Sequence, residues 1–206
     1  MTQTNKNYSI HYEQTSAVWE LSEIFLERIP FDHQRLVFCC IGTDRSTGDA
    51  LGPIIGSQLQ QVFSFPFEIV GTLQNPLHAL NIIERHEKLH EKQEPFIIAI
   101  DACLGDADAI GSILVQDGPL YPGKAVNKQL PPIGHVSVKG IVNVAGFMEA
   151  KVLANTRLHV TYSMSDKIAR ALLLAWQRYL LKNKHYSHNH RNNDNRWQQI
   201  GYTDFR

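Results

Sequence analysis

The chain has 206 residues, of which 43% are hydrophobic and 19% charged, and its 20 Lys and Arg balance its 20 Asp and Glu. This length and composition are typical of one globular domain, and the neutral balance argues against binding along a nucleic-acid backbone. No segment reaches the ~20 apolar residues of a membrane span, and the polar start, residues 1–7, lacks the apolar core of a secretion signal. We therefore expect a cytoplasmic protein with neither a nucleic-acid nor a membrane partner.

Hydrophobic patterns predict helices and strands that alternate along the chain. Apolar residues at helical spacing predict helices over 19–29, 51–62, 76–92, 144–154 and 166–181. Short apolar runs predict strands over 36–41, 67–73, 96–100, 112–116 and 158–162. Residues 1–18 are predicted to be a loose arm or a short edge element, and the Pro- and Gly-rich residues 117–135 a long loop.

Alternating strands and helices imply parallel pairing, so the predicted fold is a three-layer α/β/α domain around a mainly parallel sheet. The runs 36–41 and 96–100 are apolar throughout, which is typical of strands buried on both faces. We expect these two strands to lie side by side at the centre of the sheet. The single domain is predicted over 1–182, and the Asn- and His-rich segment 183–206 is predicted to be a mobile polar tail.

Two aspartates follow the two central strands. Asp49 comes directly after the Gly-rich loop 42–48, and Asp101 directly after the strand 96–100. Ligand sites in parallel sheets lie beyond the carboxyl ends of the strands. Each aspartate could simply cap the element that follows it. If the two meet, they shift each other's pKa and can form an acid/base pair that activates water. With a third ligand the same pair could hold a divalent cation.

The three cysteines Cys39, Cys40 and Cys103 do not have the spacing of a disulfide framework or a zinc site, so reduced, buried thiols are predicted. Cys103 lies two residues beyond Asp101 and would share its face of a continuing strand. A nucleophilic pair of Cys103 with His135 is therefore an alternative chemistry, although a small buried residue at a strand end is the favoured interpretation.

These motifs, in this order, are similar to the germination protease of spore-forming bacteria, and more closely to its smaller relatives, the spore protease YyaC family. The resemblance covers roughly 36–180 and is carried by residues 42–53, 98–102, 117–123 and 126–128. It implies a phosphorylase/hydrolase-like fold, which the hydrogenase maturation endopeptidases share. It also places the catalytic pair of an atypical aspartic peptidase on Asp49 and Asp101.

In the hydrogenase maturation group, the two matching acids and a histidine bind the nickel of the substrate. Here Asn143 stands where that histidine would be, shortly before the stretch Gly146–Glu149. No resident metal or other cofactor is therefore predicted, with a divalent cation at the acid pair as the alternative. The predicted substrate-binding residues are Gly42, Thr43, Gly48, His135 and Asn143. Lys128 and Lys139 are expected to be solvated.

The resemblance implies a peptidase in the cytoplasm of a sporulating cell or forespore, acting on a protein such as a small acid-soluble spore protein. The alternative is a non-catalytic sporulation protein that binds a spore protein through the same acidic site. A chain of 206 residues is too short for much of the substrate-clamping apparatus of the larger germination protease. An oligomeric state is left open.

The predicted mechanism assigns different roles to the two acids. Asp49, at a helix start, is expected to have a lowered pKa and to act as the general base. Asp101, at the end of a buried strand beside a like charge, is expected to have a raised pKa and to hydrogen-bond the scissile carbonyl. Backbone amides of the loop 42–48 are expected to stabilise the oxyanion.

Overall fold

The computed structural model describes residues 7–91, 93–122 and 131–198, with side chains described as far as residue 183. Its strands are β1 (Asn7–His11), β2 (Leu36–Cys40), β3 (Glu68–Val70), β4 (Phe96–Gly105), β5 (Ser112–Asp117) and β6 (Val136–Val144). Its helices are α1 (Ala17–Arg28), α2 (Leu51–Gln60), α3 (Ile82–His90), α4 (Glu149–Ala154) and α5 (Leu158–Gln198). In this described part of the chain, no helix combines the length and the apolar character that a membrane span requires.

The six strands form one sheet in the order β1-β5-β6-β4-β2-β3. The four strands β3, β2, β4 and β6 run parallel, whereas β5 runs antiparallel to its neighbours β6 and β1. Helices α1, α2 and α5 pack on one face of the sheet, and α3 packs on the other. The predicted α/β/α domain with a mainly parallel sheet is confirmed, as is the side-by-side pairing of the strands predicted at 36–41 and 96–100, which are β2 and β4. The predicted central position holds for β4 only, because β2 lies next to the edge strand β3.

Alternating side chains divide the core between the two faces of the sheet. In β2, Cys40 belongs to the cluster under α1, α2 and α5, and Cys39 to the cluster under α3. Both thiols are buried, and burial raises the pKa of Cys39 to about 12. These two cysteines therefore serve as uncharged core residues, which agrees with the predicted reduced thiols.

Several elements differ from the prediction, among them the helix predicted over 144–154, which begins only at Glu149. The predicted strand 158–162 is wrong, because these residues begin α5, where Thr161 and Met164 are buried on the same helix face as Ile168. The predicted helix 76–92 begins only at Ile82. Strand β6, which no pattern predicted, lies between β4 and β5.

The two ends of the chain can be compared with the predicted edge element and the predicted tail. The short edge element predicted within 1–18 is present as β1, at one edge of the sheet. Helix α5 extends into the predicted tail as far as Gln198. Residues 199–206, like 123–130 of the predicted long loop, lie outside the described residues. The mobility of the tail stays a prediction.

We predict that Gly52→Ala destabilises the fold, because α2 packs directly against the end of β2 at this glycine. An added Cβ would lie 2.1 Å from the carbonyl oxygen of Ile41. The backbone must shift to relieve this overlap, at an expected cost of about 1–3 kcal/mol in the free energy of unfolding. Chemical denaturation measures this cost. The control is Gly146→Ala, whose added Cβ meets no atom within 4 Å. Equal stability of the two variants would contradict the close packing of α2.

Candidate functional site

A cavity of about 390 Å³ lies beyond the carboxyl end of β2, over the adjoining face of β4 and β6. Its acidic and basic lining residues are Asp49, His78, Asp101, Lys139 and Glu149. Most of the other lining residues are apolar and come from the sheet, from residues 120–122 and from α4. A few charged groups enclosed by apolar walls are the usual composition of a ligand or active site.

Asp49 is brought to the cavity by the loop that follows β2. Gly42 adopts a φ of 136°, and a Cβ at this position would lie 1.9 Å from the Asp49 carbonyl oxygen. Only glycine therefore allows the loop to pass this close to Asp49. The amide of Thr43 then donates to the same carbonyl oxygen at 3.2 Å. Asp49 belongs to a short 3-10 turn (Gly48–Ala50) before α2, and the residue that caps α2 is Ala50. The cap interpretation of Asp49 is therefore wrong.

Asp101 lies within β4, which continues to Gly105 instead of ending at the aspartate. Its Oδ1 accepts a hydrogen bond of 2.8 Å from the amide of Ala102. Lys139 stands opposite Asp101 in the parallel register of β4 with β6. Lys139, which was expected to be solvated, therefore borders the acidic site.

Burial and mutual repulsion act on the two carboxyl groups. Burial, followed by the charge of Asp49, raises the pKa of Asp101 well above its usual range, while the Ala102 amide and Lys139 lower it. Burial also raises the pKa of Asp49, against the lowering effects of the Thr43 amide and of His78. The raised pKa of Asp101 was predicted. The lowered pKa predicted for Asp49 is wrong, because enclosure in the cavity outweighs the hydrogen bonding.

Two predicted binding residues lie away from the cavity. The ring of His135 accepts a hydrogen bond from the Ile97 amide at 3.0 Å and stacks on Phe96 at the start of β4, near the opposite ends of the strands. Asn143 donates to the Thr156 hydroxyl at 3.1 Å and is not among the lining residues. The structure does not bring His135 to the site. The alternative pair of Cys103 with His135 is therefore wrong, although Cys103 itself lines the cavity.

The remaining predicted binding residues are Gly42, Thr43 and Gly48, which lie in or beside the lining of the cavity. Gly42 lines the cavity, whereas Thr43 and Gly48 flank it. A Cβ at Gly48 would lie 2.9 Å from the Thr156 hydroxyl that Asn143 holds, so Gly48 is needed for close packing. The binding roles of Gly42, Thr43, Gly48 and Asn143 stay predictions.

Several backbone amides of the loop 42–48, which were expected to stabilise the oxyanion, already donate hydrogen bonds within the protein. Those of Gly42, Thr43 and Arg45 already donate, to the Leu77 carbonyl, the Asp49 carbonyl and the Thr43 hydroxyl respectively. These three amides therefore cannot also serve as oxyanion donors in this conformation. A substrate oxyanion would need donors other than these three amides.

Sequence reasoning missed His78, which lines the cavity from the segment before α3. It was assigned to the predicted helix 76–92, where no functional role was expected for it. Asn81 is the residue that caps α3. Asn is a preferred helix cap, so this signal could have moved the helix start to 82 and left His78 in a loop at the strand ends.

Few ligands for a metal ion come together in the cavity. Among the described residues, no group of three or more His, Cys, Asp or Glu side chains is arranged to hold a metal ion. A divalent cation at Asp49 and Asp101 would therefore need most of its ligands from water or substrate.

Residues 9–171 match a family model described as "Protein of unknown function (DUF1256)". The chain belongs to this family. It is also 48% identical over 140 residues to the "Uncharacterized protein YyaC" of Bacillus subtilis (strain 168), an alignment that covers 68% of each chain. The relationship to YyaC that the motifs indicated is confirmed.

The chain is also similar to a solved structure, that of a [NiFe] hydrogenase maturation protease, HycI, from Thermococcus kodakarensis KOD1. The superposition has a TM-score of 0.43 and 16% sequence identity, and it covers 76% of this chain and 96% of that chain. A likeness this distant supports no conclusion about activity.

We predict that Asp101→Asn stabilises the fold at neutral pH. In the folded protein the raised pKa of Asp101 keeps its carboxyl protonated at a pH where the same carboxyl in the unfolded chain has lost its proton. Asp101 therefore lowers the free energy of unfolding increasingly as the pH rises above the usual carboxyl range. Asparagine keeps the acceptor for the Ala102 amide without the charge. The midpoint of thermal unfolding should therefore exceed that of the wild type at pH 7, by a margin that shrinks towards pH 4.

The control for this measurement is Asp108→Asn, which changes an exposed aspartate of the same chain. This variant should unfold with the same midpoint as the wild type at both pH values. If Asp101→Asn responds to pH in the same way as the control, Asp101 is not held in a desolvated, charge-repelling environment.

Proposed function

We propose that the protein is a peptidase, in which Asp49 and Asp101 activate a water molecule that cleaves a protein substrate. The observation that carries this proposal is the placement of both carboxyl groups in the lining of one enclosed cavity, where the charge of Asp49 raises the pKa of Asp101. Two acids that cannot easily ionise together retain a shared proton near neutral pH. One group can then accept a proton while the other donates one.

In the proposed reaction, ionised Asp49 takes a proton from water, and the water oxygen forms a bond with the carbonyl carbon of the substrate. The carbonyl electron pair moves onto the oxygen, which protonated Asp101 hydrogen-bonds. The carbon–nitrogen bond then breaks, and the leaving nitrogen receives the proton held by Asp49. Lys139, opposite Asp101 in the β4–β6 register, supplies positive charge beside the developing oxyanion.

The proposed substrate is a protein of the sporulating cell, of the small acid-soluble spore protein type. This part of the proposal rests on the motif resemblance to the germination protease. The cavity, of about 390 Å³, has the volume of a small ligand pocket. It can enclose the atoms around one peptide bond, with the rest of the substrate outside.

A second candidate function is binding of the same protein without cleavage. The specific observation in its favour is that the amides of Gly42, Thr43 and Arg45 already donate within the protein. These three amides are therefore not available to stabilise a tetrahedral intermediate, which is a common role of amides at a peptidase site. Detection of substrate fragments distinguishes cleavage from binding alone.

We predict that purified protein cleaves small acid-soluble spore proteins, and that Asp49→Asn and Asp101→Asn each lower kcat by about 10²–10⁴-fold. Each substitution keeps the shape of the side chain and removes its ability to exchange a proton. Fragments are detected by mass spectrometry over a time course. Parallel reactions with a chelator test whether a divalent cation at the acid pair takes part.

The control is again Asp108→Asn, an exposed aspartate outside the cavity, which should cleave at the wild-type rate. Binding of the spore protein without fragments would favour the second candidate function. Cleavage by Asp49→Asn at the wild-type rate would refute the acid-pair mechanism.

A further inference from the structure

Backbone and side-chain hydrogen bonds in the segment between β3 and α3 hold His78 in the lining of the cavity. Its amide donates to Oδ1 of Asn81 at 2.9 Å, and the side-chain amide of Asn81 donates to the Pro76 carbonyl at 3.0 Å. The carbonyl of the neighbouring Leu77 accepts the Gly42 amide at 2.8 Å. The last bond ties this segment to the loop that carries Asp49, so the positions of His78 and Asp49 are set together.

The hydrogen bonding of the imidazole determines which nitrogen can act on the site. Nδ1 of His78 lies 3.3 Å from the amide of Leu80, which donates to it. A backbone amide can only donate, so Nδ1 is the acceptor and the proton of the neutral ring lies on Nε2. Nε2 is therefore the nitrogen available as a donor to the cavity that His78 lines.

Charged and titratable groups face this cavity from each of the surrounding elements. Besides Asp49, before α2, they are Asp101 and Cys103 on β4, Lys139 on β6, Glu149 on α4 and Tyr121 in the segment after β5. His78 acts electrostatically on Asp49, whereas Lys139 acts on Asp101. Each acid of the pair therefore has its own positive or proton-donating neighbour.

We propose that His78 is a positioning residue of the acid pair, which holds Asp49 as the ionised member and so leaves the shared proton on Asp101. This inference rests on the proposed peptidase function and assigns the two roles within it. A pair of carboxyl groups with identical surroundings would share the proton equally, and neither would be a dedicated base. The Thr43 amide and His78 favour the charged form of Asp49, as the Ala102 amide and Lys139 favour that of Asp101, yet the pKa of Asp101 is raised further than that of Asp49. His78 contributes to this difference, which selects Asp49 as the general base.

The test replaces His78 and follows the pH dependence of cleavage. In His78→Leu the donor is lost, so the pKa of Asp49 rises further and the base is protonated at higher pH. The acidic limb of the kcat profile should move up by about one pH unit, which is about a tenfold loss of rate on that limb. His78→Gln, whose side-chain amide can donate from about the position of Nε2, should keep the limb near its wild-type position.

The matched control is His159→Leu, which removes an exposed histidine at the start of α5 outside the cavity and should leave the profile unchanged. A residue that only supports the fold would lower the rate at every pH without moving the limb. Carboxyl carbon NMR of Asp49, titrated in the wild type and in His78→Leu, measures the same shift without any cleavage and also shows whether the variant is folded.

The outcomes separate the two proposals. The positioning role is supported if the acidic limb of the kcat profile moves up in His78→Leu and lies near its wild-type position in His78→Gln. The role of His78 alone is overturned if folded His78→Leu cleaves at the wild-type rate and its acidic limb does not move. It is also overturned if the substitution leaves the titration of Asp49 unchanged. A wild-type protein that cleaves no spore protein overturns the proposed peptidase function, and the positioning role in catalysis with it.

Discussion

The parallel pairing of β2 with β4 is the constraint on which the site depends. In this register Cys40 stands beside Ile100, and the Ile41 amide donates to the Ile100 carbonyl at 2.7 Å. The chain leaving β2 must therefore turn away next to Asp101, and Gly42 makes that turn towards Asp49. Two apolar strands that are stabilised by burial thus place two acids in one enclosed cavity. Their desolvation opposes folding, so the site is maintained by the packing of the sheet around it.

Much of the fold follows from local patterns in the sequence. The continuous apolar runs of β2 and β4 are recognisable because both faces of these strands are buried. Strand β6 was missed because it follows a Pro- and Gly-rich segment and carries Ser137, Lys139 and Asn143 among its apolar residues. Residues 158–162 are rich in β-branched and aromatic side chains, yet they are helical because packing of α5 against α1 and α2 overrides that propensity.

The sequence could predict the site residues that follow apolar runs. It could not predict those that reach the site only through the pairing register of the strands or the path of a loop. Asp49 follows the carboxyl end of β2, where the carboxyl-end rule places ligand sites. Asp101 follows the apolar run of β4, which marked its position although the strand continues to Gly105. Lys139 reaches the site only through the pairing of β6 with β4, which no local pattern contains. His78 reaches it because the chain after β3 returns to β2 before α3 begins. His135 was misplaced because, without β6, nothing indicated that it lies at the start of a strand.

The coupling of Asp101 to Asp49 is tested most directly by titrating the Asp101 carboxyl carbon by NMR in the wild type and in Asp49→Asn. If the two acids share one cavity and one proton, the pKa of Asp101 is well above its usual range in the wild type and falls when Asp49 loses its charge. An Asp101 pKa that is the same in both proteins would contradict the account, because the two carboxyl groups would then be too far apart to act as a pair.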